Sequence, residues 1–314
     1  MIYTILVLLA GLVLLILGGD FLVRGASGIA LRAKITPLVV GLTVVAFGTS
    51  APELLVSLKA ALAGTPDIAI GNVVGSNICN LALVLGLTAV IRPIGVNKDS
   101  LKFDWPMTMG ASLLLYFLVL DGWVNTLDGT LFVAILILFT FFIIRKSRKE
   151  TKATEALEDL DIPAPSGNPV KDYLFVLLGG VGLYFGAEWF VGSSVTLAAF
   201  LGVSERVISI TVVALGTSLP ELFTSVIASI KKETDMAVGN LVGSNIFNIL
   251  SILGITSIVT QIEVNELMRD VDMVWMLAIT ALILPMMLTR RTVSRLEGGV
   301  LLTVYVVYTY SVVS

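Results

Sequence analysis

Gly48-Thr49-Ser50-Ala51-Pro52-Glu53 sits inside a long apolar run and returns as Gly216-Thr217-Ser218-Leu219-Pro220-Glu221. Each copy puts a carboxylate, two hydroxyls, a glycine and a proline where a membrane helix is otherwise hydrocarbon. Glycine, serine and threonine have an ordinary use there, because they let membrane helices pack closely. That use does not extend to Glu53 and Glu221. A charge at the bilayer centre costs about 2.5–3.5 kcal/mol even on lenient insertion scales, and such residues mark ion or substrate pathways. Two of them in matching contexts read as a cation site.

The rest of the chain has the composition of a membrane protein. Its 314 residues are 56% hydrophobic and 14% charged, with a mean hydropathy of +0.98, whereas a soluble domain is about 25% charged. At about 20 residues per span there is room for about ten helices. The apolar runs are long and continuous, which excludes the short alternating segments of a transmembrane β-barrel. A net charge of −3 and no histidine speak against a nucleic-acid partner and leave no imidazole for a proton relay. The single cysteine, Cys79, excludes an intrachain disulfide. Residues 1–19 lack the basic start and small-residue cleavage site of a signal peptide and read as a retained first helix.

Ten spans are expected at 2–29, 36–62, 67–91, 104–120, 127–145, 171–200, 204–230, 235–260, 270–289 and 296–314. Asp20 and Arg24, four apart near the end of the first, are placed to pair or snorkel. Residues 146–170 carry basic, then acidic, then Pro- and Gly-rich sequence and read as a linker. Lysine and arginine crowd the odd-to-even loops. Only Lys59, Arg206 and Arg269 fall opposite. By the positive-inside rule, both termini lie outside and the linker is cytoplasmic.

Residues 41–91 align without a gap on 209–259, with roughly half the positions identical, which marks a duplicated unit. Each half therefore holds five spans, 1–145 and 171–314. An odd number turns the second half upside down. The expected fold is an all-α membrane protein of ten transmembrane helices in two inverted five-helix repeats, a recurring transporter plan with interrupted helices and a midplane site. Pro52 and Pro220 fit it, since each removes a backbone donor and disturbs the preceding turn. The carbonyls around Ala46–Thr49 and Ala214–Thr217 then become candidate ligands.

A second duplicated element reads Gly71-Asn72-Val73-Val74-Gly75-Ser76-Asn77-Ile78-Cys79-Asn80 and Gly239-Asn240-Leu241-Val242-Gly243-Ser244-Asn245-Ile246-Phe247-Asn248. Asn72, Ser76 and Asn80 share a helix face, as do Asn240, Ser244 and Asn248. Asn72 and Asn240 divide evenly between interhelical glue and site. Asn80 and Asn248, at the depth of the glutamates, belong to the site. The inward groups are all hard oxygens: Glu53, Glu221, the hydroxyls of Thr49, Ser50, Ser76, Thr217, Ser218 and Ser244, and the amides of Asn80 and Asn248. Hard oxygens select Ca²⁺, Mg²⁺ or Na⁺, and a pliable cage favours Ca²⁺ or Na⁺ over Mg²⁺. One Ca²⁺ neutralises two glutamates, and so do two Na⁺. Mutually exclusive loading of one carboxylate pair is exchange.

These motifs, G-T-S-x-P-E followed by G-x-x-x-G-S-N-x-x-N in both halves, resemble the α-repeats of the sodium/calcium exchanger branch of the calcium/cation antiporter family. The resemblance implies ten helices, with helices 2, 3, 7 and 8 forming the core and helices 1 and 6 sliding across it. It implies that Glu53 and Glu221 ligate both ions and that Thr49 and Thr217 add carbonyls to a Ca²⁺ site. Ala46, Ser50 and Ser76 would form one Na⁺ site, Ala214, Ser218 and Ser244 its mirror image, with Asn80 and Asn248 between them. Potassium-dependent relatives have aspartate at the position of Asn248, so no potassium co-transport is expected. The alternative is a Ca²⁺/H⁺ antiporter, whose different second motif is absent here. The resemblance further implies a multi-pass plasma-membrane protein, monomeric, without an obligate protein partner or cofactor. No nucleophile–base pair suggests an enzyme. Organic-solute symport lacks an aromatic or basic pocket in the repeats, and a passive channel would not need two inverted copies.

Overall fold

The computed structural model describes residues 2–64, 67–158, 169–201 and 216–313. It is helical almost throughout, in the order α1 (Ile2–Ala33), α2 (Pro37–Thr49), α3 (Ala51–Leu62), α4 (Ile68–Ile91), α5 (Ser100–Asp121), α6 (Thr126–Glu158), α7 (Pro169–Phe200), α8 (Leu219–Ile230), α9 (Thr234–Val259), α10 (Met268–Leu288) and α11 (Arg295–Val313). Among the described residues seven helices are individually long and apolar enough to cross a membrane. The pair α2–α3, bent by 45°, makes an eighth. α8 is the described part of the span expected at 204–230. α11 has 19 residues.

The bend between α2 and α3 falls at Ser50, with φ −86° and ψ 3°. Ser218, ahead of α8, has φ −87° and ψ 4°. The same residues force the same angles: Pro52 and Pro220 enter the first turn of the following helix, where a missing N–H is tolerated. Both α4 and α9 widen to π-helix just after the Gly-Ser-Asn turn, over Cys79–Val84 and Asn248–Leu253. Such bulges appear often at functional sites.

Among the described residues four two-residue strands tie the ends of the helices together. β1 (Ile94–Gly95) pairs antiparallel with β4 (Thr292–Val293), and β2 (Trp123–Val124) with β3 (Ile262–Glu263). α4 and α9 form the centre of the molecule: 72% and 78% of their most apolar windows are buried, against 22–39% for the other spanning helices. α1 and α7 run antiparallel along one side in backbone contact. A Cβ at Gly18 would come within 2.7 Å of the Leu183 nitrogen, so only glycine permits that approach.

Two charge expectations take definite form. Arg24 pairs with Asp20 at 2.7 Å, and Lys231 reaches the same Asp20 at 2.5 Å. The expected linker begins differently: α6 runs on through 146–158. Lys, Glu and Ala dominate that stretch, and they are strong helix formers whatever their solubility. The remainder, 159–168, lies outside the described residues.

Candidate cation site

Glu53 stands in the first turn of α3 and Glu221 in the first turn of α8, each three residues past a bent serine. Both are fully buried. Neither forms an ion pair among the described residues. A buried charge without a partner is among the most expensive groups a protein can carry. The carboxylate at the start of each helix gains from the positive helix end, which is too little to offset burial.

The two halves meet at these residues. Ser50 donates from its hydroxyl to Glu221 Oε1 at 3.0 Å, across the repeat boundary. The Ser244 hydroxyl reaches the same oxygen at 3.4 Å. Thr49, wholly buried, lies against α9: its Oγ1 is 3.1 Å from Asn240 Oδ1, 3.3 Å from Ser244 Oγ and 3.3 Å from the Ala46 carbonyl. One hydroxyl hydrogen serves only one of these at a time. The Ala46 carbonyl also keeps its helical bond from the Ser50 amide at 2.9 Å. The expectation that proline vacates the carbonyl of Ala46 therefore does not hold: Pro52 has no N–H to give to residue 48, two residues past Ala46.

Asn72 and Asn240 prove to be braces. Asn72 Nδ2 bonds the Glu53 carbonyl at 3.2 Å and Ser57 Oγ at 3.0 Å. Asn240 Nδ2 bonds the Glu221 carbonyl at 3.5 Å and Ser225 Oγ at 2.9 Å. Each holds the glutamate's backbone from the neighbouring helix. Ser57 and Ser225 were not singled out in the sequence, although they also repeat at matching positions.

Some buried oxygens find no hydrogen-bond partner: both of Glu53, Oε2 of Glu221, Oγ of Ser218, and Oδ1 of Asn80 and of Asn248. Buried polar groups are satisfied in the great majority of cases. The unpartnered oxygens drawn from the two duplicated motifs are a donor set that could coordinate a cation. It contains two carboxylates and no nitrogen or sulfur, which suits a hard ion. Ser76 is buried and Thr217 half-buried. Ala214 lies outside the described residues.

The arrangement has close counterparts. The family model for the sodium/calcium exchanger protein matches residues 3–145 and 171–313. The inner membrane protein YrbG of Escherichia coli is 36% identical over 301 residues, covering 94% of this chain and 92% of that one. The sodium/calcium exchanger MaX1 of Methanosarcina acetivorans is 34% identical over 337 residues, covering 96% of each. The solved structure of the sodium-calcium exchanger NCX_Mj, soaked with zero Na⁺ and Ca²⁺, superposes with a TM-score of 0.84 at 31% identity over 99% of both chains.

Proposed function

The chain belongs to the sodium/calcium exchanger family, and on that premise we propose that it exchanges Na⁺ for Ca²⁺ across the membrane by alternating access, both ions held in turn between Glu53 and Glu221. The observation that carries this reading is the Ser50–Glu221–Ser244 contact. It joins one repeat's bend to the other repeat's carboxylate, beside a Glu53 whose oxygens have no partner.

The fold proposed is ten helices in two inverted repeats, 1–145 and 171–314, joined by 146–170. The strand pairing supports it. A shift of about 168 residues carries β1 onto β3 and β2 to within one residue of β4, so the two ladders exchange. β1 precedes α5, whereas β3 pairs with the strand that follows α5. Equivalent strands thus lie at opposite ends of a 22-residue helix, as two-fold inversion requires. The positive-inside rule puts both termini outside and the linker in the cytoplasm of a plasma-membrane protein.

Within the site, Glu53 and Glu221 ligate both ions, and the Thr49 and Thr217 carbonyls complete Ca²⁺ coordination. Ser50, Ser76 and Ala46 flank one side for Na⁺; Ser218, Ser244 and Ala214 flank the other. Asn80 and Asn248 line the middle with their free oxygens. Ala46 joins only if Thr49 Oγ1 releases its carbonyl. Empty, two buried carboxylates resist crossing, which couples one ion's movement to the other's.

The test is Ca²⁺ uptake into proteoliposomes. Uptake driven by an outward Na⁺ gradient, and collapsed when Na⁺ is equal on both sides, supports Na⁺ exchange. Uptake that ignores Na⁺ and follows a pH gradient replaces Na⁺ with H⁺.

A further inference from the structure

Four asparagines close a ring between α4 and α9. Asn77 donates from Nδ2 to the backbone carbonyl of Asn245 at 3.3 Å, and Asn245 donates from Nδ2 to the carbonyl of Asn77 at 3.2 Å. A backbone carbonyl only accepts, so these bonds fix which end of each amide is nitrogen. The oxygens of the same two side chains then accept from the other pair. Asn80 Nδ2 donates to Asn245 Oδ1 at 3.2 Å, and Asn248 Nδ2 to Asn77 Oδ1 at 3.0 Å. The nitrogens of Asn80 and Asn248 are thereby committed, and their oxygens face the other way, buried and without a partner. All four side chains are at most 1% exposed.

We propose that Asn77 and Asn245 are positioning residues for the cation site: anchored on each other's main chain, they hold Asn248 and Asn80 with the oxygen, not the amino group, offered to the ion. A reversed amide would present N–H donors to a cation and repel it. This inference rests on Asn80 and Asn248 lining the site. The two positions per copy, three apart, share a helix face, and the helix widens to π-helix beside them. The ring makes ligand polarity a property of the fold: it runs from two main-chain carbonyls to two free oxygens.

The test is a double-mutant cycle read in the half-saturating Ca²⁺ concentration for uptake. Asn77→Leu is made alone and on Asn248→Asp, whose two like oxygens have no wrong way round. Alone, Asn77→Leu should raise half-saturation by about tenfold, the cost of one lost ligand oxygen. On Asn248→Asp it should raise it no further. A merely structural role would lower the amount of active transporter, and hence the maximal rate, in both backgrounds alike. An equal rise in both backgrounds, or none in either, overturns the proposal. Should Asn77→Leu fail to fold, Asn245→Leu with Asn80→Asp runs the same cycle on the other copy. Asn248→Ala separates the two layers. Unchanged half-saturation there removes the ligand itself, whereas a rise there beside an unshifted Asn77→Leu removes only the clamp.

Discussion

In the first copy of the Gly-Thr-Ser-x-Pro-Glu turn both carboxylate oxygens of Glu53 lack a partner, while in the second Glu221 accepts from Ser50 and Ser244. The bends themselves are superimposable, within 1° in both φ and ψ. The burial of the neighbouring helix differs as well. Gly239, Asn240 and Gly243 on α9 are buried, with α2 pressed backbone to backbone against them. Gly71, Asn72 and Gly75 on α4, the same residues one copy earlier, are only half-buried. Sequence symmetry builds two equal half-sites, and the packing of this conformer treats them unequally. An alternating-access carrier would exchange these roles in its opposite conformer.

The largest effect should ignore that asymmetry. Glu53→Gln and Glu221→Gln should each cut initial Ca²⁺ uptake by about 100-fold or more, because removing one charge from a buried pairing costs ~3–5 kcal/mol. Uptake measured in proteoliposomes checks this. Full flux in either variant would break the equivalence of the half-sites.

A sharper test is Gly243→Ala. A Cβ there would lie 2.7 Å from Leu42 Cα and 2.9 Å from the Ala46 side chain. Overpacking costs ~1–3 kcal/mol, enough to shift conformers by about tenfold. With Cys79→Ser as background and Gly71→Cys as reporter, Gly243→Ala should change labelling by an impermeant thiol reagent by about that factor. An unchanged rate would mean that the α2–α9 packing has no bearing on access.

Ser50→Ala and Ser218→Ala should differ from each other, with a smaller effect. The first removes a bond to a carboxylate, the second an oxygen without a partner. In ion-free detergent Ser50→Ala should lower the melting temperature by roughly 2–4 °C, the equivalent of ~1 kcal/mol in a chain of this size. Ser218→Ala should leave it unchanged. The smallest effect belongs to Lys231→Met. Its ion pair with Asp20 links the α8–α9 turn to α1, but both groups are about a quarter exposed, so solvent screening leaves ~0–1 kcal/mol. Labelling at Gly71→Cys should move by no more than about fivefold.

Much of this molecule could be read from its residues. The hydropathy found seven spanning helices and the bent pair, the duplication found the matching turns at Ser50 and Ser218, and Asp20 and Arg24 pair at the expected spacing. The π-helical turns were not legible, because nothing in Cys79–Val84 or Asn248–Leu253 distinguishes a five-residue bond pattern from a four-residue one by composition. Asn77 and Asn245 stood in the quoted motif and were passed over. Their work is to fix other amides, and it is visible only once both copies lie side by side. Residues 146–158 read as an aqueous linker from their charge, yet charge does not forbid a helix that simply continues. The Ala46 carbonyl stays bonded because the donor lost at Pro52 belongs to residue 48, two residues further along.

The account rests on one cage shared by two carboxylates and filled by unlike ions in turn. Diffraction from crystals soaked in Sr²⁺ or Ca²⁺, and then in Na⁺ alone, tests it most directly. The predicted result is a divalent-ion peak in contact with both Glu53 and Glu221 that disappears as Na⁺ replaces it. A peak held by one carboxylate only, or one that persists beside saturating Na⁺, would contradict it.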